Sequence, residues 1–396
     1  MFREIHKSIG TPTYVYNLAK VRQNIARIQA DFADLKPHIH YSAKANANLT
    51  ILKTVLSCGA GIDAVSGGEI FRALKAGASP DQIVFAGVGK TPQEIRYALE
   101  QGIGWFNVEN EAELAHIQTL ADQLGRDNIR VALRLNPDVT ADTHPHIATG
   151  HGGAKFGLTT DVVTRLLDEQ GKFPCLAFNG IHVHIGSQLH EIEATCEAAE
   201  KAVILARGYS SIDTINIGGG LPVAYRADER LPMYQDFAQA LVPILQGYDV
   251  LLEPGRSIIA DAGILLAEVL YVKRQAGKTF IITDASMTEL MRPALYNAYH
   301  AILPVMDDAS GKLETVTVTG AVCETTDVLA KDIQLPALQP GDLITIQTAG
   351  AYGMVMSSNY NARTRPAEVA IDGEAWHVIR QRETWDQLLG DEADYI

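Results

Sequence analysis

Cysteine is scarce in this chain. Cys58, Cys175, Cys196 and Cys323 are the only four in 396 residues, and no CxxC pair occurs. That excludes a disulfide scaffold and a zinc-finger pattern. Long apolar runs are missing too, none approaching the ~18 residues that cross a bilayer. The opening MFREIHKSIGTPTYVYN lacks an apolar signal core, so a cytoplasmic location is expected and a membrane is not expected as a partner. Positive charge is in deficit: 33 Lys+Arg stand against 47 Asp+Glu, a net −14. Such a surface repels phosphate backbones, and with no basic patch to offset it nucleic acid is excluded as well. What remains, 47% hydrophobic and 20% charged, is a globular chain, too long for one ordinary domain at ~150 residues each.

Eight short β-branched runs recur along the first two thirds. They are IHYSAK (39–44), GIDAVS (61–66), IVFAG (83–87), GWFNVE (104–109), RVALRLN (130–136), GIHVHIG (180–186), TINIGGG (214–220) and DVLLEPG (249–255). Stretches of helical period separate them; GGEIFRALKAGA, for instance, sets Ile70, Leu74 and Ala78 on one face. Strands alternating with helices mean parallel pairing through right-handed crossovers. Eight such units match a closed (β/α)8 barrel of the TIM type better than a doubly wound sheet, whose glycine fingerprint would follow the first strand. Here the first strand ends in Lys44.

After Arg256 the pattern turns to strand-like runs such as GILLAEVLYVKR, KTFIITDAS and DLITIQTAG, punctuated by Pro and Gly. They predict a C-terminal antiparallel β-domain. The strand-like PTYVYN ahead of the barrel is expected to pair into it. Residues 1–17 and 257–396 would then form one discontinuous β-domain beside a barrel of residues 18–256.

Two nucleotide motifs fail on inspection. Gly89-Lys90-Thr91 resembles the end of a P-loop, but the leading glycine is replaced by Val84; the triple glycine Gly218–Gly220 lacks a further small residue at Val223. Closely spaced histidines, His144, His146 and His151 in one stretch and His182 with His184 in another, have no fixed metal-ligand spacing, and no metal is expected.

In a barrel, catalytic residues lie at the C-terminal ends of the strands. Those ends carry Lys44, Ser66, Gly87, Asn107 with Glu109, Arg134 with Asn136, His184 with Ser187, Gly218–Gly220, and Glu253 with Arg256. Turn formation accounts for Ser66 and Gly87. It does not account for Lys44, because an ammonium buried at the end of an apolar strand is costly unless paired or used. A desolvated lysine also suits Schiff-base chemistry. The seventh and eighth strands end in GGG and EPGR, where barrels bind phosphate through backbone N–H groups. Amine, phosphate nest, flat ring (His184) and acid (Glu253) together suit pyridoxal 5′-phosphate, whose pyridine nitrogen an acid keeps protonated.

Taken in order, SAKAN (42–46), VSGGE (65–69), RLNPD…THPHIATG…KFG (134–157), HVHIGSQ (182–188), NIGGGLP (216–222), EPGR (253–256), RPALY (292–296), CETTD (323–327) and GAYG…MSSNYN (350–361) resemble the fold-type III pyridoxal-phosphate-dependent decarboxylases over the whole chain. The resemblance implies that Lys44 links to the cofactor, His184 stacks on its ring and Glu253 faces its pyridine nitrogen. Ser187, Gly219, Gly220 and the EPGR turn with Gly255 and Arg256 would hold its phosphate. Arg256, Arg292 and Tyr296 are implied as substrate ligands, Glu324 as a ligand of the substrate's distal end, Cys323 as the proton donor, and Tyr352 as a contact to cofactor and substrate. A homodimer is implied, with the CETTD loop of each chain reaching its partner's active site.

The reaction so implied is decarboxylation of meso-2,6-diaminopimelate to L-lysine, the last step of lysine biosynthesis. That substrate ends in an ammonium and a carboxylate on one carbon, which an acid and arginine forks together suit. Alternatives are a sibling decarboxylase of ornithine, lysine or carboxynorspermidine, an alanine racemase, a cofactor-free barrel aldolase, and an inactive cofactor-binding regulatory protein. The joint presence of Lys44 and Cys323 argues against the last. The chain departs from the family pattern at Thr325 and Thr326, where serine and glycine are common, and at Ser286, where glycine is. Cys58, Cys175 and Cys196 are expected to be small buried apolar residues.

Overall fold

The computed structural model describes residues 1–139, 153, 155–305, 312–390 and 392. His144, His146, His151 and the THPHIATG stretch lie outside these residues. Contacts divide the chain into two compact units: Arg22–Val223 with Arg230–Ile258, and Met1–Val21 with Ala224–Glu229 and Ile259–Ile396. The segment Ala224–Glu229, inside the barrel's span by sequence, therefore groups with the second unit.

The first strand, β1 (Thr13–Asn17), belongs to the second unit. The next eight close into a parallel barrel: β2 (His38–Ser42), β3 (Gly61–Ala64), β4 (Ile83–Phe85), β5 (Trp105–Val108), β6 (Ile129–Arg134), β7 (Leu176–His182), β8 (Thr214–Asn216) and β9 (Asp249–Leu252). All eight overlap the runs read from the sequence. Val84, Trp105, Ala132 and Leu251 pack together as a buried cluster. The indole of Trp105 fits because β7 carries a glycine beside it: a Cβ on Gly180 would fall 2.7 Å from Trp105 Cζ2. An alanine there would overpack the barrel.

The helix Gly67–Ala76 shows how the crossovers are set. Ser66 Oγ accepts the Glu69 N–H at 3.2 Å, and Glu69 Oε2 accepts the Val65 N–H at 2.8 Å, a cap that starts the helix at its glycine pair. Gly77, at φ 101°, ends it. The buried face is Ile70, Ala73 and Ala76 rather than Ile70, Leu74 and Ala78. The left-handed stop puts Ala78 beyond the helix, so the expected period is cut one turn short.

The remaining strands are β10 (Gly263–Gln275), β11 (Lys278–Thr283), β12 (Ile302–Pro304), β13 (Leu313–Thr319), β14 (Val328–Pro336), β15 (Leu343–Ile346), β16 (Ala367–Asp372) and β17 (Ala375–Arg380). With β1 they form a nine-stranded sheet ordered β14-β13-β11-β10-β1-β16-β17, with β15 on β10 and β12 on β15. PTYVYN does join this sheet as β1. Most pairings in this domain are antiparallel, as expected, and two are parallel: β1 with β16 and β11 with β13. A parallel pair needs a long connection, and for β1 and β16 the entire barrel lies within that connection. Ile5, Val15, Leu266, Leu343 and Val369 pack together as one buried apolar cluster of this unit. The buried tyrosines of β1 satisfy their hydroxyls, Tyr14 on the Glu289 carbonyl (2.7 Å) and Tyr16 on Glu368 Oε1 (2.9 Å).

Among the described residues no helix is long and apolar enough to cross a membrane, and no three His, Cys, Asp or Glu side chains gather as a metal site. Cys175 is buried and its Sγ accepts from Gln118 Nε2 at 3.1 Å, but Cys58 and Cys196 are only half-buried. The apolar-core expectation holds for Cys175 alone.

Candidate active site

Three strand ends converge on one carboxylate. Glu253 follows β9 and is 7% exposed. Its Oε1 accepts from Asn107 Nδ2 at 2.8 Å and from Asn216 Nδ2 at 2.6 Å, while Oε2 lies 3.4 Å from His182 Nε2 at the end of β7. Each amide is turned by what its own oxygen accepts: Asn107 Oδ1 takes the Trp105 Nε1–H (3.1 Å) and Asn216 Oδ1 the Gly218 N–H (2.8 Å). Burial alone would raise Glu253. The adjacent His182 imidazole, the Asn216 amide and the charge of Lys44 outweigh it and hold the carboxyl well below the usual carboxylate range. Glu253 is ionised at neutral pH.

Lys44 stands in the one-turn helix Ala43–Ala45 directly after β2. The expectation of a buried ammonium is corrected: Ala43 and Ala45 are buried, but Lys44 is exposed, because the tight turn packs its flanking alanines and leaves the middle side chain out. Its charge acts on Glu253, Asp63, Glu69 and His184. Asp63, on β3, is 1% exposed; Ser42 Oγ donates to its Oδ2 at 2.5 Å, and Oδ1 is buried without a hydrogen bond. Burial and the neighbouring Glu253 charge push Asp63 up to about 7. His184 moves the other way. Burial, then the charges of Lys44 and Arg134, hold it well below its usual value, so the ring is neutral. Its Nδ1 accepts the Gly219 N–H at 3.3 Å, which leaves the hydrogen on Nε2.

Ser187 Oγ accepts from both Nε and Nη2 of Arg256, each at 3.1 Å, so two residues implied for cofactor and substrate hold one another. Gly219 and Gly255 bring their turns close to the floor. A Cβ on Gly219 would fall 2.5 Å from the Glu253 carbonyl, and one on Gly255 2.9 Å from Ser42 Cβ. Gly220 follows at φ 106°. This donor set fits pyridoxal 5′-phosphate. It offers an amine for an aldehyde, an ionised acid for a cationic ring nitrogen, a neutral flat ring, and a glycine turn with an arginine and a hydroxyl for a phosphate.

The failed P-loop has a structural explanation. Lys90 buries its ammonium on the Gly87 and Asn107 carbonyls (2.9 and 2.6 Å) and on Glu113 (2.6 Å), bracing the β5 end. Glu109 does similar work, joining Arg134 Nη1 (2.5 Å) to the Gly157 N–H (3.0 Å).

In the second unit, Arg292 and Tyr296 begin and end a short helix. Arg292 is buried; its Nη1 lies 2.9 Å from His300 Nε2 and its guanidinium 4.8 Å over the Tyr225 ring, which excludes an idle surface role. Tyr296 is half-buried. Cys323 and Glu324 lie on the β13–β14 connection and are exposed. That connection is held by buried Asp327, which accepts the N–H groups of Met287 (2.7 Å) and Val322 (2.9 Å). The Cys323 N–H donates to Asn361 Oδ1 at 3.1 Å, so the CETTD and MSSNYN motifs meet. Glu324 Oε1 accepts the Thr325 N–H at 3.1 Å. Tyr352 is half-buried at φ 56°, a left-handed conformation that costs a tyrosine about 1 kcal/mol or more. Ser286 is accommodated by donating to Glu289 Oε2 at 2.7 Å.

Sequence reasoning missed Asp63, His300 and Tyr225, and the grip of Asn216 and His182 on Glu253. Asp63 gave a signal, a carboxylate inside an apolar strand run. His300 and Tyr225 gave none.

Residues 18–260 match the family model described as pyridoxal-dependent decarboxylase, pyridoxal binding domain. A protein named diaminopimelate decarboxylase from Neisseria meningitidis is 41% identical over 99% of this chain and 97% of its own. One of the same name from Pseudomonas aeruginosa is 44% identical over 98% and 94%. The crystal structure of diaminopimelate decarboxylase from Helicobacter pylori complexed with L-lysine superposes with a TM-score of 0.94 at 39% identity, covering 98% of both chains.

Proposed function

This chain belongs to the pyridoxal-dependent decarboxylase family, and from that premise we propose that it converts meso-2,6-diaminopimelate to L-lysine and carbon dioxide with pyridoxal 5′-phosphate as cofactor. The observation that carries the reading is Glu253, held ionised in a buried position by Asn107, Asn216 and His182. The full-length similarity to relatives of one name supports the choice of substrate. When bound, pyridoxal 5′-phosphate supplies the electron sink for the pair left behind as carbon dioxide departs.

The chain's own residues do the rest. Lys44 would hold the cofactor through its amine. Glu253 keeps a proton on the ring nitrogen, and His184 offers a neutral face to the ring. Ser187, Gly219, Gly220, Gly255 and Arg256 take the phosphate end. Arg256, Arg292 and Tyr296 bind substrate carboxylate, Glu324 binds the distal ammonium, and Tyr352 touches cofactor and substrate. Cys323 Sγ delivers a proton to the substrate Cα. The enzyme works in the cytoplasm as a homodimer whose Cys323 loops serve the partner's sites.

Two measurements test this. Protein supplied with pyridoxal 5′-phosphate and meso-2,6-diaminopimelate should release lysine and carbon dioxide in equal amounts, whereas a preference for ornithine would replace the reading with a sibling decarboxylase. Mixing inactive Lys44→Ala and Cys323→Ala chains should restore activity through one intact heterodimer site; no recovery after verified subunit exchange would refute the shared site.

A further inference from the structure

We infer that His300 is a positioning residue for substrate choice: it holds Arg292 through a neutral nitrogen and sets no negative charge of its own beside the guanidinium that is to meet an anionic group of the substrate. This deepens the proposed function and rests on Arg292 as the ligand of the substrate's distal carboxylate. The geometry leaves one tautomer. The Gln347 carbonyl oxygen, 2.8 Å from His300 Nδ1, can only accept, so Nδ1 carries the hydrogen. Arg292 Nη1, 2.9 Å from Nε2, can only donate, so Nε2 is the accepting nitrogen. The imidazole is therefore neutral with both nitrogens engaged.

The carbonyl is itself fixed. The Gln347 N–H donates to the Ala301 carbonyl at 2.8 Å, and neighbouring Ile346 pairs with Ile302 in the β12–β15 ladder. Tyr225 packs on both partners, 4.8 Å from the guanidinium and edge-to-face with the imidazole at 5.5 Å and 88°. His300 is 2% exposed and Arg292 7%. A carboxylate in place of His300 would grip Arg292 equally well, but as an ion pair competing with the substrate's carboxylate. An imidazole nitrogen occupies one N–H donor and neutralises nothing.

Two amides separate the two bonds. Glutamine reaches the Nε2 position and still accepts from Arg292; asparagine reaches only the Nδ1 position and still donates to Gln347. His300→Gln is expected to lose no more than about 5-fold in kcat/KM for meso-2,6-diaminopimelate. His300→Asn should raise KM about 10- to 100-fold at little change in kcat, the loss of a charged hydrogen bond. His300→Glu, isosteric with glutamine but anionic, should raise KM at least as far. Melting temperatures check folding, and whichever of the Asn and Glu chains folds is compared with Gln. Arg292→Ala, run alongside, tests the underlying reading: if it leaves kcat/KM unchanged, Arg292 is not the ligand and both ideas fall. If Arg292→Ala is impaired while His300→Asn and His300→Glu behave like His300→Gln, the positioning role is overturned and the substrate reading stands.

Discussion

In the barrel, the residues assigned to the cofactor lie on or beside a floor of buried side chains that determine one another's charge. In the second unit, Cys323 and Glu324 are exposed, and backbone groups hold the loop that carries them. Glu253 has amide donors from Asn107 and Asn216 and the His182 ring beside it, whereas the Cys323 loop is pinned by its own N–H groups on Asp327 and Asn361. A buried charge must be satisfied where it stands or it neutralises, so the barrel settles protonation. The loop settles position. The barrel also holds an internal contrast: Asp63, with one hydroxyl donor, is pushed up to about 7, while Glu253 is held down. At similar burial, the neighbouring charges and donors together decide which carboxyl keeps its charge: His182, Asn216 and Lys44 favour the Glu253 anion, whereas the Glu253 charge itself opposes the Asp63 anion.

The largest break comes from Lys44→Ala. Turnover and the covalent cofactor link should both vanish with the fold intact by circular dichroism; a cofactor adduct still trapped by borohydride in that variant would end the assignment. Cys323→Ala should lower kcat by ~10²–10⁴-fold with little change in KM, since the thiol is asked only to move a proton. Steady-state kinetics showing a KM effect alone would make the loop a binding element instead. Arg292→Ala comes next, at about 10²-fold in kcat/KM for meso-2,6-diaminopimelate. Arg292→Lys should recover only part of that, because an ammonium cannot reproduce the planar fork.

The smallest effect sharpens the carboxylate contrast. Folded Asp63 titrates near 7 against 3.8 ordinarily, so between those values the folded chain holds a proton that the unfolded chain has released. Stability from this group therefore falls as pH rises from about 4 to about 7 and is flat above. Asp63→Asn, which copies the neutral form, should remove that slope and melt higher than the parent at pH 8. A parent-like slope in the variant would assign the titration to another group.

Much of the barrel site was legible because closed barrels place polar side chains at strand ends, and short β-branched runs mark the strands. Lys44, His184 and Glu253 were all picked out as candidates that way. The exposure of Lys44 was not legible, since a one-turn helix after β2 has no periodicity to reveal it. Nor were the two parallel pairings of the second sheet, which depend on a register between residues as distant as Thr13 and Ala367. Arg292, Cys323 and Tyr352 came from resemblance, because a mixed sheet has no rule that says where its chemistry must sit.

The double pairing of β1 has a consequence for synthesis. Thr13 pairs with Leu266 on one side and with Ala367 on the other, so the strand translated early cannot complete its ladder until a much later one has emerged. At ~5–20 residues per second that is a wait on the order of tens of seconds. Meanwhile the barrel strands, each beside its neighbour in sequence, can assemble in order. Throughout, Tyr14, Val15 and Tyr16 sit on an unpaired strand edge of the kind that recruits other chains. Ribosome-bound chains carry this liability for the length of that wait, whereas a full-length chain refolding from denaturant has both partner strands of β1 at hand from the start.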